Sequence, residues 1–116
     1  MMQIKKTYIE VNPELLYAEI KDFIIKQGVS LGGSLMETYT LPDQSASFVS
    51  RGTLTFKCRD EASNTEKECL RAHIVGSGRG ETKLMLDVDE VLFPQEKITT
   101  LQEDIDFIFS EYEPKE

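Results

Sequence analysis

The chain has 116 residues, with 13 Lys+Arg against 21 Asp+Glu, one His, two Cys and no Trp. That length fits one domain with a real core, and an apolar fraction of 40% is too high for a disordered chain. A net charge of −8 argues against generic binding to nucleic acid or anionic membranes, where Lys and Arg must neutralise phosphates.

The charge is unevenly spread. Residues 1–80 hold ten acids and ten bases, whereas residues 81–116 hold eleven acids and three bases, so the last 36 residues carry the whole −8. No apolar run reaches the ~18 residues of a membrane span, and no apolar stretch follows Lys5-Lys6 as a signal peptide requires. Two cysteines in such a chain suggest a reducing compartment, and a cytoplasmic location is expected.

Gln3 to Val11, rich in Ile, Thr, Tyr and Val, predicts a first strand. Asn12-Pro13-Glu14 then supplies a cap, a first-turn proline and a first-turn acid. Leu16, Ile20, Phe23, Ile24 and Gln27 follow at helical spacing, and Gly28 stops a helix over 13–27. A second strand is expected over Val29–Leu41, loosened by Gly32-Gly33.

Ser45 to Arg59 has the cleanest alternation in the chain. Ala46, Phe48, Ser50, Gly52, Leu54, Phe56 and Cys58 point one way, and Arg51, Thr53, Thr55, Lys57 and Arg59 point the other. The phase holds through Gly52, which predicts one long strand with a local bend. A fourth strand turns Leu70, Ala72 and Ile74 inward, and Gly76-Ser77-Gly78-Arg79-Gly80 reads as a hairpin rather than a phosphate loop, because a strand follows it. A fifth strand over 82–88 turns Leu84, Leu86 and Val88 inward. Pro94 opens a last helix reaching Tyr112, with Ile98, Leu101, Ile105, Ile108 and Tyr112 as its apolar stripe. Asp87, Asp89 and Glu90 precede it, where the helix dipole favours acids.

The expected fold is therefore a single α+β domain over residues 1–116, β-α-β-β-β-β-α. It has an antiparallel sheet of about five strands, with both helices packed on one face. This element order resembles the TATA-binding-protein-like arrangement and, less closely, the helix-grip fold of START-type lipid carriers. The resemblance spans nearly the whole chain but is one of element order, so no site residue carries over.

Three surfaces follow. The solvated sheet face gathers Arg51, Lys57, Arg59, Arg71, His73 and Lys83 against the single acid Asp87; Arg51, Lys57, Arg71, His73 and Lys83 are candidates for holding an anion. It lacks the stacking aromatics that sheet readers of single-stranded nucleic acid use. On the last helix Phe107 falls opposite the apolar stripe, among Glu96, Glu103 and Glu111, and Ile25 is similarly off the stripe of the first helix. Together they suggest a protein-partner or homodimer surface. Between sheet and last helix, Phe48, Leu54, Phe56, Ile98, Leu101 and Ile105 would line a cavity if the protein carried a small apolar ligand.

No catalytic constellation has workable spacing. Cys69 and His73 lie about 13 Å apart along one strand, too far for a nucleophile and its base. His73 has no carboxylate placed to orient it, and no ligand set for a metal or cofactor is apparent. If the third and fourth strands pair apolar to apolar, Cys58 and Cys69 fall on opposite faces, which excludes a disulfide. The expectation is a small non-catalytic binding module, with the apolar carrier as the alternative.

Overall fold

A computed structural model describes residues 1–40, 48–77 and 80–114. Five strands, β1 (Met2–Ile9), β2 (Ser30–Thr40), β3 (Phe48–Asp60), β4 (Thr65–Ser77) and β5 (Glu81–Val88), accompany two helices, α1 (Pro13–Ile25) and α2 (Gln95–Phe109). The strands form one antiparallel sheet in the order β1-β5-β4-β3-β2. Residues 45–47, expected in the third strand, and Gly78 and Arg79 of the hairpin lie outside the described residues.

The alternation in β3 does what its chemistry requires. Ser50, Leu54 and Phe56 are buried beneath the helices, with Leu70, Ala72 and Ile74 of β4 and Leu84, Leu86 and Val88 of β5 beside them. At about 25 cal/mol per Å² of buried apolar area, this face supplies the main drive for folding. The helices add Leu16, Ile20 and Ile24 from α1, and Ile98, Leu101, Ile105 and Phe109 from α2. Both therefore pack on one sheet face, and the other face is left open.

Asn12 caps α1 as its side chain predicts, accepting hydrogen bonds from the Glu14 and Leu15 amides. Gly28, at φ +92°, turns the chain towards β2 beyond the helix end. The acids before α2 act differently from expectation. Asp89 accepts from the Val91 and Leu92 amides, so it shapes the preceding turn and does not cap the helix. Asp87 points onto the open face, where it accepts from Gln3 at 2.8 Å.

The last helix ends at Phe109, short of the expected Tyr112, which belongs to a 3-10 turn over Ser110–Tyr112, and the apolar stripe departs from expectation there. Phe109 is buried, whereas Ile108 and Tyr112 are 41% and 39% exposed. Residues 101, 105 and 109 keep a strict four-residue step, and Phe109 packs against Tyr8 with ring centroids 5.5 Å apart.

Tyr8 itself is fully buried, and its hydroxyl has no hydrogen-bond partner among the described residues. Burial, helped by the carboxylates of Glu113 and Asp106, pushes that hydroxyl well above the usual phenol range. A buried polar group without a partner costs about 1–3 kcal/mol. Tyr8→Phe should therefore raise the unfolding free energy by ~1 kcal/mol in urea titration. A less stable variant would show instead that the hydroxyl is bonded.

Candidate functional site

The register places the open-face residues in rows across the sheet. Gln3, Asp87, Arg71, Thr55 and Gly33 form one row; Lys5, Met85, His73, Thr53 and Leu35 form the next; Thr7, Lys83, Val75, Arg51 and Glu37 form a third. Of the five anion-site candidates, Arg51, Arg71, His73 and Lys83 thus share the open face, with Lys57 beyond them opposite Glu68.

Acids accompany nearly every base. Arg71 pairs with Glu68 at 2.9 Å, and Lys83 lies 3.7 Å from Glu81. His73 Nε2 lies 3.6 Å from Asp87 Oδ2, so a carboxylate does stand beside the histidine, contrary to expectation. Arg51 faces Glu37 across the β2–β3 pair. The Glu68 carboxylate holds the Arg71 guanidinium pKa above its ordinary value. The surface is therefore one of alternating charge around a shallow hollow of about 340 Å³, lined by Lys5, His73, Val75, Lys83 and Met85 among others.

The helix layer offers a different chemistry. Lys6 of β1 pairs with Asp106 and Glu113, and Lys26 after α1 pairs with Asp104. The N-terminal part of α1 lies beside the C-terminal end of α2. Between them is a groove of about 390 Å³ lined by Glu10, Val11, Leu15, Glu19, Ile108 and Tyr112, with Asn12 and Phe109. Leu15 is 54% exposed there.

Phe107 and Ile25 are exposed, at 87% and 41%, but neither lines that groove. The sequence pattern places the residues that share the groove elsewhere: Ile108 and Tyr112 in the buried stripe, and Leu15 on no surface. The adjacent pairs Leu15-Leu16 and Ile108-Phe109 are the available signal, because only one member of each can face the core. Glu10, Glu14, Glu19, Glu103 and Glu111 around this layer have no ion partner among the described residues.

The two thiols correct the parity argument. Pairing runs Phe56 with Leu70 and then Lys57 with Glu68, so Cys69 is the extra residue of a β-bulge. That one-residue shift turns Cys69 into the core, where it is 1% exposed, and brings its thiol into hydrogen-bonding contact with Cys58. The Cys58 thiol also donates to the Leu92 carbonyl at 3.4 Å. Opposite faces therefore do not separate these thiols.

Leu54, Phe56, Ile98, Leu101 and Ile105, the residues expected around an apolar ligand, are each at most 2% exposed and belong to one packed cluster. The side chain of Phe48 lies outside those described. Among the described residues, no group of three or more His, Cys, Asp or Glu is placed to hold a metal ion, and no helix is long and apolar enough to cross a membrane. No family model matches this sequence, and no curated protein matches it.

Proposed function

We propose that this chain is a non-catalytic protein-binding module that takes a cationic amphipathic segment of a protein partner in the groove between α1 and α2. The observation that carries the reading is the meeting of exposed apolar side chains with acids that have no ion partner among the described residues. Leu15, Ile108 and Tyr112 line the groove, and Glu10 and Glu19 stand in its wall. An apolar segment would cover the first set, and Lys or Arg on its flanks would answer the second. The open sheet face supports an anion less well, since Glu68, Glu81, Asp87 and Glu37 accompany its bases.

The reading is tested with an amphipathic Leu/Lys helical peptide and its Leu/Glu counterpart, followed by fluorescence anisotropy at low and high salt. The cationic peptide should bind, more weakly as salt screens the acids, and the anionic one should not. Leu15→Asp should weaken binding by at least ~10-fold. Equal binding of both peptides, or indifference to Leu15→Asp, would overturn the assignment.

A further inference from the structure

The two edges of the sheet are built differently. The β1 edge is eight residues long, carries Lys5 and Lys6, and has the C-terminal end of α2 and the chain just after it held against it through the pairs of Lys6 with Asp106 and Glu113. Lysines on an edge strand obstruct pairing with another chain. The β2 edge is eleven residues long, has no Lys, Arg or Pro, and carries one charge, Glu37. Every β2 residue except Met36 is exposed, and no described residue pairs with its outer side.

We infer that β2 pairs antiparallel with β2 of a second copy, joining two five-stranded sheets into one of ten strands. The occupant follows first from charge. The acids at the end of α2 and just after it, Asp106 and Glu113, sit on Lys6 of β1, the edge farthest from β2, at about four strand spacings or ~19 Å. Joined through β2, two copies keep those acids at opposite ends, separated by several times the ~8 Å screening length. Joined through β1, they would bring them together.

The sequence of β2 is also self-complementary. The bulge at Gly32 leaves an uninterrupted stretch from Gly33 to Thr40, and a two-fold axis at Met36 uses nearly all of it. Met36 then faces Met36 of the second copy, and Ser34 faces Thr38. Tyr39 covers Gly33, an arrangement that supplies packing where an edge glycine has none. Glu37 faces Leu35, not its own equivalent, with Arg51 of its own chain as its β3 neighbour. In this arrangement the four helices lie on one side of the joined sheet, and the groove between α1 and α2 stays free in each copy.

Sedimentation of the full chain at micromolar to ~100 µM concentration tests this. The wild type should sediment at twice 13.2 kDa, and the double variant Leu35→Lys, Met36→Lys at 13.2 kDa with an unchanged circular dichroism spectrum. Phe107→Asp and Leu15→Asp should remain dimeric, so the peptide-binding reading and this one fail separately. Amide exchange needs no variant: protection of residues 33–39 should fall on dilution as the dimer dissociates. A monomeric wild type, a dimer indifferent to the Lys pair, a dimer broken by Phe107→Asp, or β2 protection independent of concentration would each overturn the inference.

Discussion

Replacing Gly76 by alanine should cost about 2–4 kcal/mol in urea denaturation, whereas the same change at Gly52 should cost ~1 kcal/mol or less. Both glycines sit in strands under α1, and at both an added methyl would fall inside another residue. At Gly76 it would lie 2.5 Å from Pro13 Cγ and 2.6 Å from Pro13 Cβ, with Thr82 Oγ1 at 3.0 Å. Pro13 is a rigid ring fixed in the first turn of α1, and it has no side-chain torsion by which to withdraw. Relief requires lifting the start of the helix from the sheet. That movement also strains the 2.6 Å hydrogen bond from Thr82 to the Val11 carbonyl.

At Gly52 the obstructing group is the Tyr17 ring, 2.6 Å away at Cδ2. Tyr17 is only partly buried and can turn about its own torsions. Alanine also restricts the unfolded chain more than glycine does, which returns roughly 0.5–1 kcal/mol at either site. Steric cost and this return should nearly balance at Gly52 and not at Gly76. Equal losses at the two positions would show that helix α1 is not seated on β4 through Pro13.

The same two glycines show how much of the fold was legible in sequence and where legibility ended. Alternation from Ser50 to Phe56 sets the buried face of β3, and the apolar residues of β4 and β5 follow it, because strand side chains have a period of two. The element order and the placing of both helices on one face follow from that pattern. Why Gly52 interrupts it does not, since the cause is Tyr17, 35 positions earlier. A bend and a close helix approach leave the same trace in the sequence.

Parity failed at Cys69 for a related reason. A bulge changes the count by one, and the run Cys69-Leu70 offers two apolar residues where a regular strand buries one. Ile108-Phe109 and Leu15-Leu16 pose the same choice on the helices, and contact with Tyr8 decides the first of them for Phe109. The charge division was legible for α2, whose excess acids are contiguous in sequence. It was not for the sheet face, where Glu68, Glu81 and Glu37 reach the bases only through turns and strand pairing.

Alkylation should label Cys58 and leave Cys69 unmodified until the protein unfolds, and raising the pH should destabilise the fold through Cys69. Burial pushes the Cys69 thiol from its ordinary 9.0 up to about 12, with the hydrogen bond to Cys58 and the nearby Asp89 adding to the effect. At pH 8 a thiol with that pKa is almost wholly protonated, and even with the greater intrinsic nucleophilicity of a high-pKa thiolate its reaction with iodoacetamide is slowed by roughly tens of fold relative to a free cysteine. Its 1% exposure slows the reaction further, while Cys58 is partly exposed.

The same shift fixes the sign of the pH dependence. Below about pH 9 the folded and unfolded chains both hold the Cys69 proton, and its contribution is intact. Between 9 and 12 the unfolded chain releases that proton and the folded chain retains it, so stability falls as pH rises through the window. A loss of ~2 kcal/mol or more is expected there, on top of the general alkaline response. Cys69→Ala should flatten the dependence between pH 9 and 11, even if it lowers stability at pH 7. Parallel pH profiles for the variant and the wild type, or early labelling of Cys69 in the folded protein, would mean that the bulge does not hold this thiol in the core.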